Sequence, residues 1–159
     1  AREGGINGIV VRLSNAFGAP ASSEVNCWHL LVNDLCRQAA TTNRLALRSG
    51  GDQQRDFISV SNVTRAITYF SNLSHDHTGI FNLGGQVSCS VFEMANYVAD
   101  CCFNEFGERP YVDRQSDQKT NQAPLEVRTH KLLGLGYCLL ADQDKEMSKL
   151  LRFCTKIYS

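Results

Sequence analysis

The chain lacks an excess of charge of either sign: 16 Lys and Arg balance 16 Asp and Glu over 159 residues. Without a basic surplus it offers no electrostatic footprint for nucleic acid or an anionic membrane surface, and neither is expected as a partner. It also lacks any apolar run near the roughly 20 residues that span a bilayer. No secretion signal opens it, so the expected setting is cytoplasmic. Cys-x-x-Cys pairs are missing as well. The seven cysteines are Cys27, Cys36, Cys89, Cys101, Cys102, Cys138 and Cys154, an odd number with several on apolar helical faces. That pattern argues against a zinc site or a disulfide framework and for buried, reduced thiols. The sequons at Asn62 and Asn72 carry little meaning without a secretion signal.

What is present reads as alternating strands and helices. Gly4, Gly5 and Gly8 lead into Ile9-Val10-Val11-Arg12-Leu13, an unbroken run of strand length. Such a run suits a parallel strand buried on both faces, which needs neighbours, so material upstream is expected. After the loop at 18–23, Trp28, Leu31, Val32, Leu35, Cys36 and Ala39 fall on one helix face. Leu45-Ala46-Leu47-Arg48 reads as a short strand, Ser49-Gly50-Gly51-Asp52 as a turn and Phe57-Ile58-Ser59-Val60 as a strand. A helix capped by Ser61, with Val63, Ala66, Ile67 and Phe70 on one face, should follow.

Ile80-Phe81-Asn82-Leu83 reads as a strand, and Ser90-Val91-Phe92-Glu93 as a capping box opening another helix. Pro110 to Asp113 forms one more short strand, and 115–122 a surface loop. A last helix from Asp142 or Asp144 should bury Met147, Leu150, Leu151, Cys154 and Ile157. The class is α/β, in one domain over residues 1–159, with no repeat, linker or internal boundary. His75-Asp76-His77 could be drawn as a metal site, but adjacent loop residues do not converge on one ion unaided. Gly134-x-Gly136 lacks the strand-to-helix context of a dinucleotide loop and reads as a turn.

Three segments in order carry a resemblance. Arg12-Leu13-Ser14-Asn15-Ala16-Phe17-Gly18-Ala19-Pro20 is similar to the Arg-x-x-Asn-x-(Tyr/Phe)-Gly-x-Pro stretch of extended short-chain dehydrogenases. The run from Gly50 to Val60 resembles that family's Gly-x-Gly-x-Gln-x-Arg-Asp-Phe-x-x-Val, and Ile80 to Gly84 its Tyr/Phe-Asn-Leu-Gly strand. Weaker echoes stand at Arg114-Gln115-Ser116-Asp117, like Arg-Pro-Gly-Asp, and at Lys131 to Gly134. The chain thus resembles the C-terminal, substrate-binding part of an NAD-dependent sugar-nucleotide epimerase or dehydratase. The resemblance implies the C-terminal portion of a Rossmann-type NAD(P)-binding fold plus a small substrate-binding subdomain, with the N-terminal cofactor half absent.

A sugar nucleotide carries a diphosphate, and Arg meets phosphate oxygens bidentately through its planar fork. The resemblance puts Arg55 and Arg114 at positions that hold the diphosphate or neighbouring groups; the alternative is a solvated surface charge. Asn15, just past a strand's C-terminal end, can donate and accept toward sugar hydroxyls or phosphate, though turns also favour Asn. Asn26 matches a further family contact at a helix start, with a plain terminus role equally open. Arg12, Asp56 and Asn82 read as structural, and the Trp28 stripe as core.

The family's chemistry also needs a Gly-x-x-Gly-x-x-Gly turn for the cofactor pyrophosphate and a Tyr-x-x-x-Lys pair for proton transfer. None of Tyr69, Tyr97, Tyr111, Tyr137 and Tyr158 has Lys four residues on, and Gly5-Ile6-Asn7-Gly8 runs into Val11. The stretch Ser59-Val60-Ser61-Asn62-Val63 also departs from the family's His-Val-(Asp)-Asp-Val. No catalytic, cofactor-binding or metal residue is therefore assigned. NAD or NADP is expected only in the complete enzyme. The expected partners are a nucleotide sugar and either a missing cofactor-binding half or further copies of the chain. The competing expectation is a truncated, non-enzymatic module that binds sugar nucleotides or oligomerises through its exposed Ile9–Leu13 strand.

Overall fold

The structure is a computed structural model, and it describes residues 8–73, 77–86, 88–115, 123 and 125–158. The elements run β1 (Ile9–Leu13), β2 (Asn15–Phe17), α1 (Leu31–Thr42), β3 (Arg44–Ala46), β4 (Gln54–Ser59) and α2 (Val60–Ser71). They continue with β5 (Gly79–Leu83), β6 (Ser88–Ser90), α3 (Val91–Phe106), β7 (Tyr111–Asp113), α4 (His130–Leu133) and α5 (Gln143–Tyr158). The fold is mixed α/β, with three small sheets. β1 pairs with β5, β2 with β4, and β3 with β7, all parallel; β6 adds to β4 antiparallel. His75, Asp76 and most of the 115–122 loop fall outside the described residues. Among the described residues no helix is long and apolar enough to cross a membrane.

β4 separates two apolar clusters because successive strand residues face opposite ways. Phe57 points to the cluster built by α1, α3 and α5, with Leu35, Met94, Val98, Met147 and Leu150. Ile58 points to the other, where Ala66 and Phe70 of α2 and Leu132 of α4 meet Phe81 and Leu83. Burial on both faces is thus realised in the second half of β4, at Phe57 and Ile58. β1 differs from the expectation. Ile9 and Val11 pack against the second cluster, but Val10 is 54% exposed and its pairing partner Ile80 is 47% exposed. Only one face of the β1–β5 pair is covered by described residues.

Local chemistry sets the helix ends. α3 opens on the expected capping box, with Ser90 and Glu93 bonding reciprocally. α2 begins one residue inside the predicted strand, at Val60, and Ser59 rather than Ser61 caps it by accepting from the Asn62 N–H at 3.1 Å. The Ser61 hydroxyl instead donates to the Glu146 carboxylate. Asn62 is 4% exposed, and its side chain bonds Leu140 O (3.0 Å), Leu140 N (2.9 Å) and Asp142 Oδ1 (2.9 Å). With that amide enclosed and engaged, the sequon at Asn62 is not a usable glycan acceptor. α5 buries Met147, Leu150, Leu151 and Cys154 as expected, but Ile157 in its last turn is 38% exposed. Residues 134–136 form a turn, as read from their spacing.

Candidate substrate cleft

At Ser14 the chain passes from one sheet to another. Its N–H donates to Leu83 O at 3.0 Å, holding it to β5, and the next residue begins the pairing of β2 with β4. Open α/β sheets bind ligands in the crevice outside the carboxyl ends of the strands, and Ser14 follows the carboxyl end of β1. Asn15 stands at this point. Its Nδ2 donates to Asp56 O at 3.0 Å, and its Oδ1 accepts from Arg55 Nη1 at 3.4 Å. The asparagine therefore ties β2 to β4 and steadies an exposed arginine. Asp56 points the other way along β4; buried, its carboxylate accepts the Gly85 N–H at 2.8 Å. Gly85 is required there, because a Cβ would stand 1.8 Å from Phe57 O.

A cleft of about 650 Å³ opens over Asn15 and Arg55. Val32, Leu35 and Phe57 line its apolar side, while His29, Arg48, Gln53 and Arg55 bring polar groups to it. Asp34 also borders the cleft, but its carboxylate is engaged by Arg37 at 2.5 Å and Gln38 at 2.8 Å. Gln38 in turn accepts the Ala46 N–H at 2.7 Å, fixing the end of β3 against α1. Cys89 pairs across from Arg55, and burial, then Glu93 and Asp56, push its thiol up to about 11. It is a neutral thiol at pH 7, and no thiolate nucleophile arises there.

The four candidate residues fare differently. Asn15 and Arg55 come together in the cleft. Arg114 stands apart from the residues that border it: its Nη2 is 3.6 Å from Asp52 Oδ1, and its guanidinium lies 4.6 Å over the Phe92 ring. Phe92 N–H bonds Gly51 O at 2.9 Å, so Arg114 braces the Gly50-Gly51 turn against the start of α3. Ser116 and Asp117 of its motif lie outside the described residues. Asn26 is exposed ahead of α1, which begins only at Leu31, and it does not border the cleft. Among the residues read as structural, Asn82 donates to Arg128 O at 3.1 Å.

His29 and Arg48 border the cleft without having been singled out in the sequence. Arg48 could have been found, since it lies just past a short strand and before the glycine turn. His29 sits in an irregular segment, where periodicity carries no signal. A larger hollow of about 730 Å³ runs along Asp56, Gln86 and 125–130, and it holds none of the four candidates. Among the described residues no group of three or more His, Cys, Asp or Glu is placed to hold a metal ion.

Comparison with known proteins bears on this arrangement. A family model described as NAD dependent epimerase/dehydratase family matches residues 1–84, more than half of the 159-residue chain. No curated protein sequence matches. Among solved structures, MoeE5 in complex with UDP-glucose and NAD is 19% identical with a TM-score of 0.66, over 95% of this chain and 48% of that one. UDP-N-acetylglucosamine 4-epimerase from Bacillus cereus is 18% identical with a TM-score of 0.68, over 95% and 47%. UDP-glucose 4-epimerase of Thermus thermophilus, in complex with NAD, is 16% identical with a TM-score of 0.67, over 96% and 48%. The chain thus shares the fold of about half of each of these Rossmann-type enzymes and spans just under half their length.

Proposed function

This chain belongs to the NAD dependent epimerase/dehydratase family, and from that premise we propose that it forms the substrate-binding portion of an enzyme acting on a nucleotide-linked sugar. The observation that carries the reading is the Asn15–Arg55 pair, set just past the carboxyl end of β1 on the edge of a cleft large enough for a small ligand. In this reading Arg55 meets the diphosphate, Asn15 positions Arg55 and reaches sugar or phosphate oxygens, and Arg114 supports the turn that carries Arg55. MoeE5, of the same fold, has been solved with UDP-glucose and with UDP-glucuronic acid, each together with NAD.

The family description implies NAD, which accepts and returns a hydride when bound. The residues of this chain do not fit that cofactor. The sequence holds neither the glycine turn that would receive its pyrophosphate nor a Tyr-x-x-x-Lys pair. No hydride or proton-transfer step is therefore assigned to these residues. Their part is to bind and orient the sugar nucleotide, while NAD and the catalytic acid/base belong to a cofactor-binding half, in the cytoplasm. By itself the chain is catalytically incompetent.

Calorimetric titration of the 159-residue chain with UDP-, GDP- and dTDP-sugars tests this reading. One nucleotide class should bind saturably, and Arg55→Ala should weaken it by about tenfold or more, the worth of a charge-assisted hydrogen bond. Affinity unaltered by Arg55→Ala would remove the reading, and NAD should give no saturable heat. A second reading, a non-enzymatic oligomerising module, is favoured by the uncovered face of β1 and β5.

A further inference from the structure

Hydrogen bonds at the two ends of the β1–β5 pair fix which backbone groups of β1 face outward. Gly79 donates its N–H to Gly8 O at 3.0 Å, and Ser14 donates its own to Leu83 O at 3.0 Å. In a parallel ladder alternate residues of a strand serve the same neighbour, so Gly8, Val10, Arg12 and Ser14 turn their peptide groups to β5. Ile9, Val11 and Leu13 turn theirs the other way, and among the described residues no hydrogen bond reaches them. The far edge of β5 is closed by contrast. Lys131 donates from Nζ to Ile80 O at 3.0 Å and lies 4.2 Å over the Phe81 ring, so an incoming strand must displace it.

One open edge and one closed edge decide the kind of association. Head-to-tail stacking of copies needs both edges, whereas a two-fold axis uses the β1 edge twice. Such an axis sets the strands antiparallel, and β1 then fits its own copy. With the axis at Val11, Val11 faces Val11 of the second copy and Ile9 faces its Leu13. All five residues of β1 overlap, and the outward groups of Ile9, Val11 and Leu13 meet as hydrogen-bonded pairs. A one-residue slip would set each outward peptide group against one already bonded to β5. Moving the axis to Val10 or Arg12 shortens the overlap, and at Arg12 it sets two like charges face to face. Leu13 lies on the same side of the strand as Ile9 and Val11, which pack on the second apolar cluster, yet it is 50% exposed. Pairing about Val11 lays the second copy's Ile9 beside it. We propose that the β1 edge is a homodimer interface, joining two copies about a two-fold axis at Val11 into one sheet of order β5-β1-β1-β5. The occupant is a second copy because this run is complementary to itself in that register. The inference goes beyond the nucleotide-sugar reading and stands or falls independently of it.

The test is size exclusion with light scattering on the 159-residue chain at micromolar concentration, which should give twice the mass of one chain. Val11→Pro removes the N–H at the axis, which no bond within the described chain uses, and proline is tolerated at such an edge position. That variant should run as a monomer with an unchanged circular dichroism spectrum. The register is read separately with introduced cysteines, in a Cys138→Ser background that removes the exposed thiol. In Val11→Cys the two Cα atoms across the axis stand about 5.5 Å apart, within disulfide reach. In Ile9→Cys the two copies of the residue lie about 14 Å apart along the strands. Mild oxidation should therefore link Val11→Cys into a covalent dimer and leave Ile9→Cys unlinked. A wild-type monomer overturns the proposal, and so does a Val11→Pro chain that is folded and still dimeric. Assemblies larger than a dimer overturn the two-fold closure. If Val11→Pro unfolds, the cysteines decide, and linking at both positions alike or at neither overturns the interface.

Discussion

Asn33 on α1 is 1% exposed, and its amide closes a ring with one backbone residue of the segment after β2. Its Nδ2 donates to Gly18 O at 2.9 Å and its Oδ1 accepts the Gly18 N–H at 3.3 Å, with Cys27 Sγ 3.2 Å from Nδ2. The two ends of the loop that leads to His29 are thereby fastened to one helix. Asn33→Ala would leave both Gly18 groups buried without a protein partner, at a cost of about 1–3 kcal/mol. Urea unfolding should show that loss; an unchanged midpoint would mean that water replaces the amide at no cost. Nothing in the sequence distinguishes Asn33 from a polar residue on the outer face of its helix. Its neighbours at one-turn spacing, His29, Leu30, Cys36 and Arg37, are of mixed polarity, and the partner that makes it useful lies 15 residues away.

Helices α1, α3 and α5 meet over a set of thiols. Cys36, Cys101, Cys102 and Cys154 are all buried in that interface, and the Cys36 thiol points to Met147 Sδ at 3.6 Å. Burial raises all four above the ordinary thiol value of 9.0; Cys36 goes well above it and Cys154 reaches about 12. The sign follows from which state holds its protons. Above pH 9 the unfolded chain loses them while the folded chain keeps them, so this stability is complete below pH 9. It is lost as pH rises toward the folded values, by about 1.4 kcal/mol per pH unit for each fully responding thiol. Urea midpoints should therefore fall between pH 8 and pH 10.5, with a shallower slope in Cys154→Ala. An equal slope in that variant would assign the alkaline loss to other groups. The expectation of buried, reduced thiols holds at Cys27, Cys36, Cys101, Cys102 and Cys154, whereas Cys89 is half-buried and Cys138 is exposed. That four of them converge on one helix interface was not legible, because helical periodicity shows which face is apolar but not which helix it meets.

At the scale of the whole molecule, the outer face of the β1–β5 pair is left uncovered by the described residues. Parallel strands are normally covered on both sides, yet Val10 and Ile80 sit opposite each other with about half of each exposed, and Leu13 is 50% exposed nearby. Apolar surface of this kind associates. The chain is expected to self-associate at micromolar concentration, and a Val10→Lys, Ile80→Lys double variant to run as a monomer in size exclusion with light scattering. Self-association that survives the double variant would place the contact elsewhere.

The division between what the sequence determined and what tertiary structure decided follows interaction range. Alternating strand and helix segments, the capping box at Ser90 and the motif around Arg55 are local patterns, so the chain displays them directly. The switch of partners at Ser14, the pairing of Asn15 with Arg55 over 40 residues and the addition of the antiparallel strand β6 are contacts between distant segments. The capping of α2 went to Ser59 rather than Ser61 because the Ser61 hydroxyl is drawn to Glu146, 85 residues away. Arg114 and Asn26 divide in the same way. Their residue types and motifs suggested ligand contacts, and it is packing that sets Arg114 over Phe92 and Asn26 ahead of α1. It also brought His29 and Arg48 to the cleft, because where an irregular segment lies depends on what it packs against.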